Sequence, residues 1–174
     1  MGIVMKLCGG GLVCLSCALV GLYFAYRDNY RIIDLTEFRK ALLLLKSEIG
    51  FARNTLPEAF GHVGERADGA PGRFFTTCAE RLCKNKEPFS IIWRDGLRTV
   101  TAGSYLVNED IGALARLADV IGYLDAPLQI EGVEMAVIYI DGKVGELAAK
   151  NEKNRRMYRS LGILGGLLAT VLIL

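Results

Sequence analysis

Residues 128–153 read "LQIEGVEMAVIYIDGKVGELAAKNEK", and whether they form strand or helix decides the fold class. The centre, "MAVIYIDGK" (Met135–Lys143), is rich in β-branched and aromatic residues and closes on an Asp-Gly pair, a strong hairpin signal. The longer pattern points the other way. Ile130, Val133, Val137, Ile140, Val144 and Leu147 recur at spacings of 3, 4, 3, 4 and 3, which line one face of a helix, whereas a strand needs a period of two. The spacing predicts one long helix from about Pro127, through the basic segment that ends at Arg159, into the last apolar run. Gly132, Gly142 and Gly145 each weaken such a helix by about 1 kcal/mol relative to alanine, so tertiary packing has to offset them.

The same period appears upstream. In "IIDLTEFRKALLLLKSEIGFA" (Ile32–Ala52), residues Leu35, Phe38, Leu42, Leu45, Ile49 and Ala52 again follow 3, 4, 3, 4 and 3. A break is expected just before this helix, at Asp28–Tyr30. "TLPEAF" follows, with Thr55 and Glu58 at capping-box spacing and Pro57 in a position that the first turn tolerates, so a helix is expected over Leu56–Arg66. "ADGAPG" reads as a loop. A helix over "RFFTTCAERLCK" would turn Phe74, Phe75, Cys78, Leu82 and Cys83 inward. The next, after Pro88, would turn Phe89, Ile92, Trp93 and Leu97 inward, with Trp93 as a core anchor. Gly103 and Asn108 bracket a break, and Asn108 would cap a further helix carrying Ile111, Leu114, Ala118 and Ile121. The expected fold is all-α, an antiparallel helical bundle with short loops.

Charge divides the 174 residues into three parts. Residues 27–160 hold 20 of the 21 basic and all 19 acidic residues. "LCGGGLVCLSCALVGLYFAY" (Leu7–Tyr26) has 20 uncharged residues, roughly 30 Å of helix and about one hydrocarbon core. A cleaved signal peptide fits less well, because the run is long and no A-x-A-like site precedes the charges. A lipoprotein would need a small residue before Cys14, where Val13 stands. The last run, Leu161–Leu174, gives about 21 Å of helix, or about 27 Å from Met157, and shows no polar face. The expected domains are therefore an N-terminal transmembrane helix over residues 1–26, a bundle over 27–157, and a C-terminal transmembrane helix over 158–174. Arg27, Arg31, Arg39 and Lys40 follow the first run, and Lys150, Lys153, Arg155, Arg156 and Arg159 precede the last. The positive-inside rule then places the bundle in the cytoplasm.

The near-neutral total charge and the lack of a broad basic surface argue against a nucleic-acid partner. The basic run before the last apolar segment suits anionic lipid instead. Cys8, Cys14 and Cys17 lie in the first apolar run and Cys78 and Cys83 in a reducing compartment, so no disulfides are expected. The C-x-x-C spacing of Cys14 and Cys17 lacks the further ligands that a zinc site needs. No phosphate loop of the G-x-x-x-x-G-K-[ST] type occurs, and His62 is the only histidine. No catalytic, cofactor-binding or metal-binding set is expected, and the chain reads as a non-enzyme. The rival is a membrane-tethered helical enzyme using Glu48, Glu58 or His62 as acid or base. Glu109 and Asp110 are assigned to favouring a helix dipole.

Four blocks resemble the stage III sporulation protein AB family of endospore-forming bacteria. They are "SEIGFARNTLPEAF" (Ser47–Phe60), "FSIIWRDGL" (Phe89–Leu97), "EDIGALARLADVIGYLDAPLQ" (Glu109–Gln129) and "NEKNRRMYRSLGILGG" (Asn151–Gly166). The last block is the most specific and "TLPEAF" is next. The resemblance implies a cytoplasmic domain similar to the F-type platform protein of type II secretion and type IV pilus machines. It also implies a non-catalytic role in the channel between mother cell and forespore, in the mother-cell membrane around the forespore. The implied partners are the other stage III A proteins, including a secretion-type ATPase, and homo-oligomerisation is left open.

Overall fold

The structure is a computed structural model that describes residues 26–173 except 53, 85–86 and 123–124, with side chains left undescribed at 154–156 and beyond 157. The expected N-terminal membrane helix lies outside the described residues. Six helices and no strands occur among the described residues. They are α1 (26–47, continued by one π-helical turn, Glu48–Ala52), α2 (Leu56–Arg66), α3 (Gly69–Lys84), α4 (Phe89–Thr101), α5 (Asn108–Ile121) and α6 (Ala126–Ile173). The chain divides into two units, Arg31–Glu146 and the terminal segments 1–30 with 147–174. In the terminal unit Lys150 pairs with Asp28 at 3.0 Å and Leu147 is buried.

The Arg31–Glu146 unit is an all-α bundle. Its core takes Leu35, Phe38, Leu42, Leu45 and Ile49 from α1 and Val133, Val137 and Ile140 from α6, as both periodicities predict. Ile130 and Val144 are half-buried. The Asp-Gly pair does not turn the chain. Asp141 stays helical and pairs with Arg39, while burial of the apolar face holds the helix through Gly142. Arg39–Asp141 and Lys46–Glu134 are spaced seven residues apart in opposite senses, so α1 and α6 run antiparallel.

Trp93 on α4 packs against Phe60, Phe74, Phe75 and Phe89, with ring centroids 4.8–6.0 Å apart. Its indole N–H donates to the Leu114 carbonyl at 2.9 Å, which satisfies the one polar atom that this side chain buries. Trp93 is thus the core anchor that its spacing suggested.

Several expectations need correction. α1 is continuous through Asp28–Tyr30. Ala52 is exposed, because the π turn rotates the end of α1 off its seam. The predicted loop "ADGAPG" is mostly helix: only Ala67 and Asp68 connect α2 to α3. Gly69 opens α3 at φ 68°, a left-handed conformation that a side chain would strain. Gly72 lies so close to the end of α2 that a Cβ there would be 2.0 Å from the Ala67 carbonyl oxygen. Glycine here makes a tight corner between helices and does not mark a long loop. Leu82 is half-buried and Cys83 exposed, since α3 ends beyond its packed face. Phe89 and Ile111 are also half-buried. The cap of α5 is Val107, one residue before the expected Asn108, and the Asp110 carboxylate accepts the Val107 N–H at 3.1 Å.

Candidate functional site

Two polar clusters stand out in the bundle. The first gathers at the π turn that ends α1. Glu48 is buried there, and its carboxylate meets three donors. Asn54 Nδ2 donates to Oε2 at 2.7 Å, and Arg66 Nη1 donates to Oε1 at 2.9 Å. His62 Nδ1 lies 2.9 Å from Oε2. A carboxylate only accepts, so this contact is a hydrogen bond with the imidazole proton on Nδ1. The His62 bond, opposed by burial and reinforced by Asn54 and the charge of Arg66, holds the Glu48 carboxyl below the usual range. Asn54, His62 and Arg66 come from the connection and from α2, so the cluster ties α2 to the end of α1.

Glu58 sits apart from this pairing. The Thr55 hydroxyl donates to Glu58 Oε2 at 2.7 Å and the Thr55 N–H at 3.0 Å. Those bonds cap α2 as predicted and hold the Glu58 carboxyl below its usual range. Of the three residues named as candidate acids or bases, Glu48 and His62 are therefore brought together and Glu58 is engaged in a cap. A carboxylate with lowered pKa and three donors is a weak base, and a proton held toward it orients His62 without freeing it for transfer.

The second cluster was not found from sequence. Asp110 is fully buried, and Arg31 Nε and Nη2 donate to its two oxygens at 2.8 Å each. Tyr139 donates its hydroxyl at 3.3 Å. The Asp110 bonds hold the Arg31 guanidinium above its ordinary value, and burial, followed by the charge of Asp110, raises the Tyr139 phenol. One carboxylate thus joins α1, α5 and α6 while capping α5. The helix-dipole role given to Asp110 captures only its location at the start of α5.

The two cysteines of the bundle differ in access, Cys83 being exposed. Cys78 is buried, and burial pushes its thiol up to about 12. Among the described residues no group of three or more His, Cys, Asp or Glu could hold a metal ion.

The geometry defines a class: a helical module whose buried polar groups hold its helices together. Comparison with known proteins gives the family. The sequence model of stage III sporulation protein AB matches residues 6–174, and the chain belongs to that family. The chain is 22% identical to the stage III sporulation protein AB of Bacillus subtilis (strain 168) over 171 residues, 98% of this chain and 100% of the relative. A solved structure of a stage III sporulation protein AB shares the fold with a TM-score of 0.64 and 17% identity, covering 71% of this chain and 97% of its own. The family supports a role in sporulation as an assembly protein. Among the described residues no helix is long and apolar enough to cross a membrane.

Proposed function

We propose that this chain is a non-catalytic platform component of the channel between mother cell and forespore. The bundle of residues 27–157 lies in the mother-cell cytoplasm and docks a secretion-type ATPase and other stage III A proteins. Residues 1–26 and 158–174 anchor it in the membrane around the forespore, and the basic residues from Lys150 to Arg159 meet anionic lipid headgroups. Family membership across residues 6–174 carries this proposal. The use of Glu48, Glu58 and Asp110 in caps and inter-helix bonds supports it, because each is already committed to a structural partner.

The test is direct. Full-length protein in lipid nanodiscs is mixed with the secretion-type ATPase of the same organism and passed over a sizing column. Co-elution at roughly tens of micromolar is expected for a transient machine contact, and its absence at that concentration overturns ATPase docking.

A further inference from the structure

Helix α6 carries a second heptad seam, on its outer face. Leu128, Glu131, Met135, Ile138, Gly142 and Gly145 repeat at 3, 4, 3, 4 and 3, the same spacing as the buried face, yet all six are exposed. Leu128, Met135 and Ile138 are 43%, 67% and 66% exposed. Each of these alone is ordinary, but their alignment on one helix is the pattern of a coiled-coil contact.

The glycines are the second observation. Gly132 has a reason inside the chain, since a Cβ there would be 2.5 Å from Val120 on α5. Gly142 and Gly145 have none: a Cβ at either meets nothing within 4 Å. Two mid-helix glycines weaken α6 with no return among the described residues. They leave a smooth stretch where another helix can come close, next to three large apolar side chains that would fill its holes.

Charge indicates the occupant. Glu131 sits in the seam and forms no ion pair among the described residues. The acids on and beside the seam are Glu131, Glu134, Asp141, Glu146 and Glu109, against Arg39, Lys46 and Lys143. A second copy packed in parallel would set Glu131 against its own equivalent. A partner with an apolar heptad seam flanked by lysine or arginine meets both features.

We propose that the outer face of α6 from Leu128 to Gly145 docks a basic amphipathic helix of a partner protein. This rests on the docking role proposed above and adds its face and its chemistry.

The probe is a synthetic peptide of about five helical turns, with leucine and alanine on a heptad seam and lysine and arginine at the flanks. A control carries glutamate at the flanks. Binding is measured to full-length protein in zwitterionic nanodiscs, with protein-free discs as blank. The basic peptide is expected to bind and the acidic one not. Gly142→Leu with Gly145→Leu should weaken binding at least about tenfold, and Glu131→Lys should act in the same direction. Helix propensity predicts that the double leucine variant melts no lower than the parent, so lost binding would not reflect lost folding. Equal binding of the two peptides, or an unchanged affinity in the double variant, overturns the proposal. The ATPase column run with the same variant separates the two ideas. Retention of the ATPase by the variant keeps ATPase docking and removes this face as its site. Peptide binding that the variant abolishes supports the face even where the ATPase does not co-elute with the parent.

Discussion

Asp110 shows how much one side chain can fix. It is buried, ion-paired to Arg31 on both oxygens, and bonded to Tyr139 and to the Val107 N–H. Removing it leaves a mostly buried guanidinium with no counter-charge, which costs about 3–5 kcal/mol. Asp110→Ala should therefore lower the urea midpoint of the solubilised protein sharply. Asp110→Leu joined to Arg31→Met should recover part of the loss, short of full recovery because the α5 cap stays missing. Equal midpoints for Asp110→Ala and the parent would contradict this. Glu48 gives a pH dependence. Its folded pKa lies below the ordinary 4.5, as does that of Glu58. A depressed carboxyl stabilises the fold fully above the unfolded value and loses that contribution as pH falls through the folded value. Stability should thus be flat near neutrality with respect to these groups and fall below pH 4.5. Glu48→Gln should make the acid limb shallower in pH-dependent denaturation. Asp110 also marks a limit of sequence reading. Its partner lies 79 residues away, and only tertiary packing brings the two together. Glu48 and His62 were legible as polar candidates, but their pairing depends on a π turn that residue spacing does not announce.

At the scale of the helix, glycine separates what periodicity can and cannot tell. Gly72 and Gly61 lie eleven residues apart and should respond in opposite ways. A Cβ at Gly72 would collide with the Ala67 carbonyl, and relief of that clash means opening the α2–α3 corner. Gly72→Ala should cost about 1–3 kcal/mol or more, since backbone yields less readily than a side-chain tip. A Cβ at Gly61 meets nothing, so Gly61→Ala should stabilise α2 by about 1 kcal/mol. Thermal melts of the two variants check both signs. The helices themselves were largely legible, because hydrophobic spacing is a local property that survives into the core. The long helix from near Pro127 follows from such spacing, whereas the Leu56–Arg66 helix follows from the capping-box spacing of Thr55 and Glu58 with Pro57 in its first turn. "ADGAPG" was misread because glycine and proline composition signals a turn, whereas Gly69 and Gly72 serve a turn with only two residues between helices. The outer seam of α6 was hidden for a related reason. Glycine and glutamate break its apolar pattern, so the sequence shows only the buried seam.

At the scale of the whole chain, the proposed cytoplasmic placement of the bundle can be tested through its cysteines. Cys83 is exposed at the end of α3, whereas Cys78 is buried with a thiol pushed up to about 12. Only the thiolate attacks a maleimide, and Cys78 combines poor access with a negligible thiolate fraction at neutral pH. A membrane-impermeant maleimide should therefore label the folded bundle at Cys83 and spare Cys78. The segments rich in arginine and lysine flank the bundle, and the positive-inside rule puts such flanks in the cytoplasm. Intact cells should then show no bundle labelling, and lysed cells should show labelling that Cys83→Ser removes. Cys8, Cys14 and Cys17 share the first apolar run, so replacing all three with serine leaves a clean background without touching the bundle. Labelling of Cys83 in intact cells would place the bundle outside and overturn the proposed contact with a cytoplasmic ATPase. The same preparation tests anchoring, because the two apolar ends should keep the full chain with the membrane through a high-salt wash. Salt screens the attraction of the Lys150–Arg159 segment to lipid within roughly 3 Å at 1 M, while burial of apolar side chains in the bilayer is left intact. Release by salt alone would show that the basic segment holds the protein at the surface and that the ends do not span.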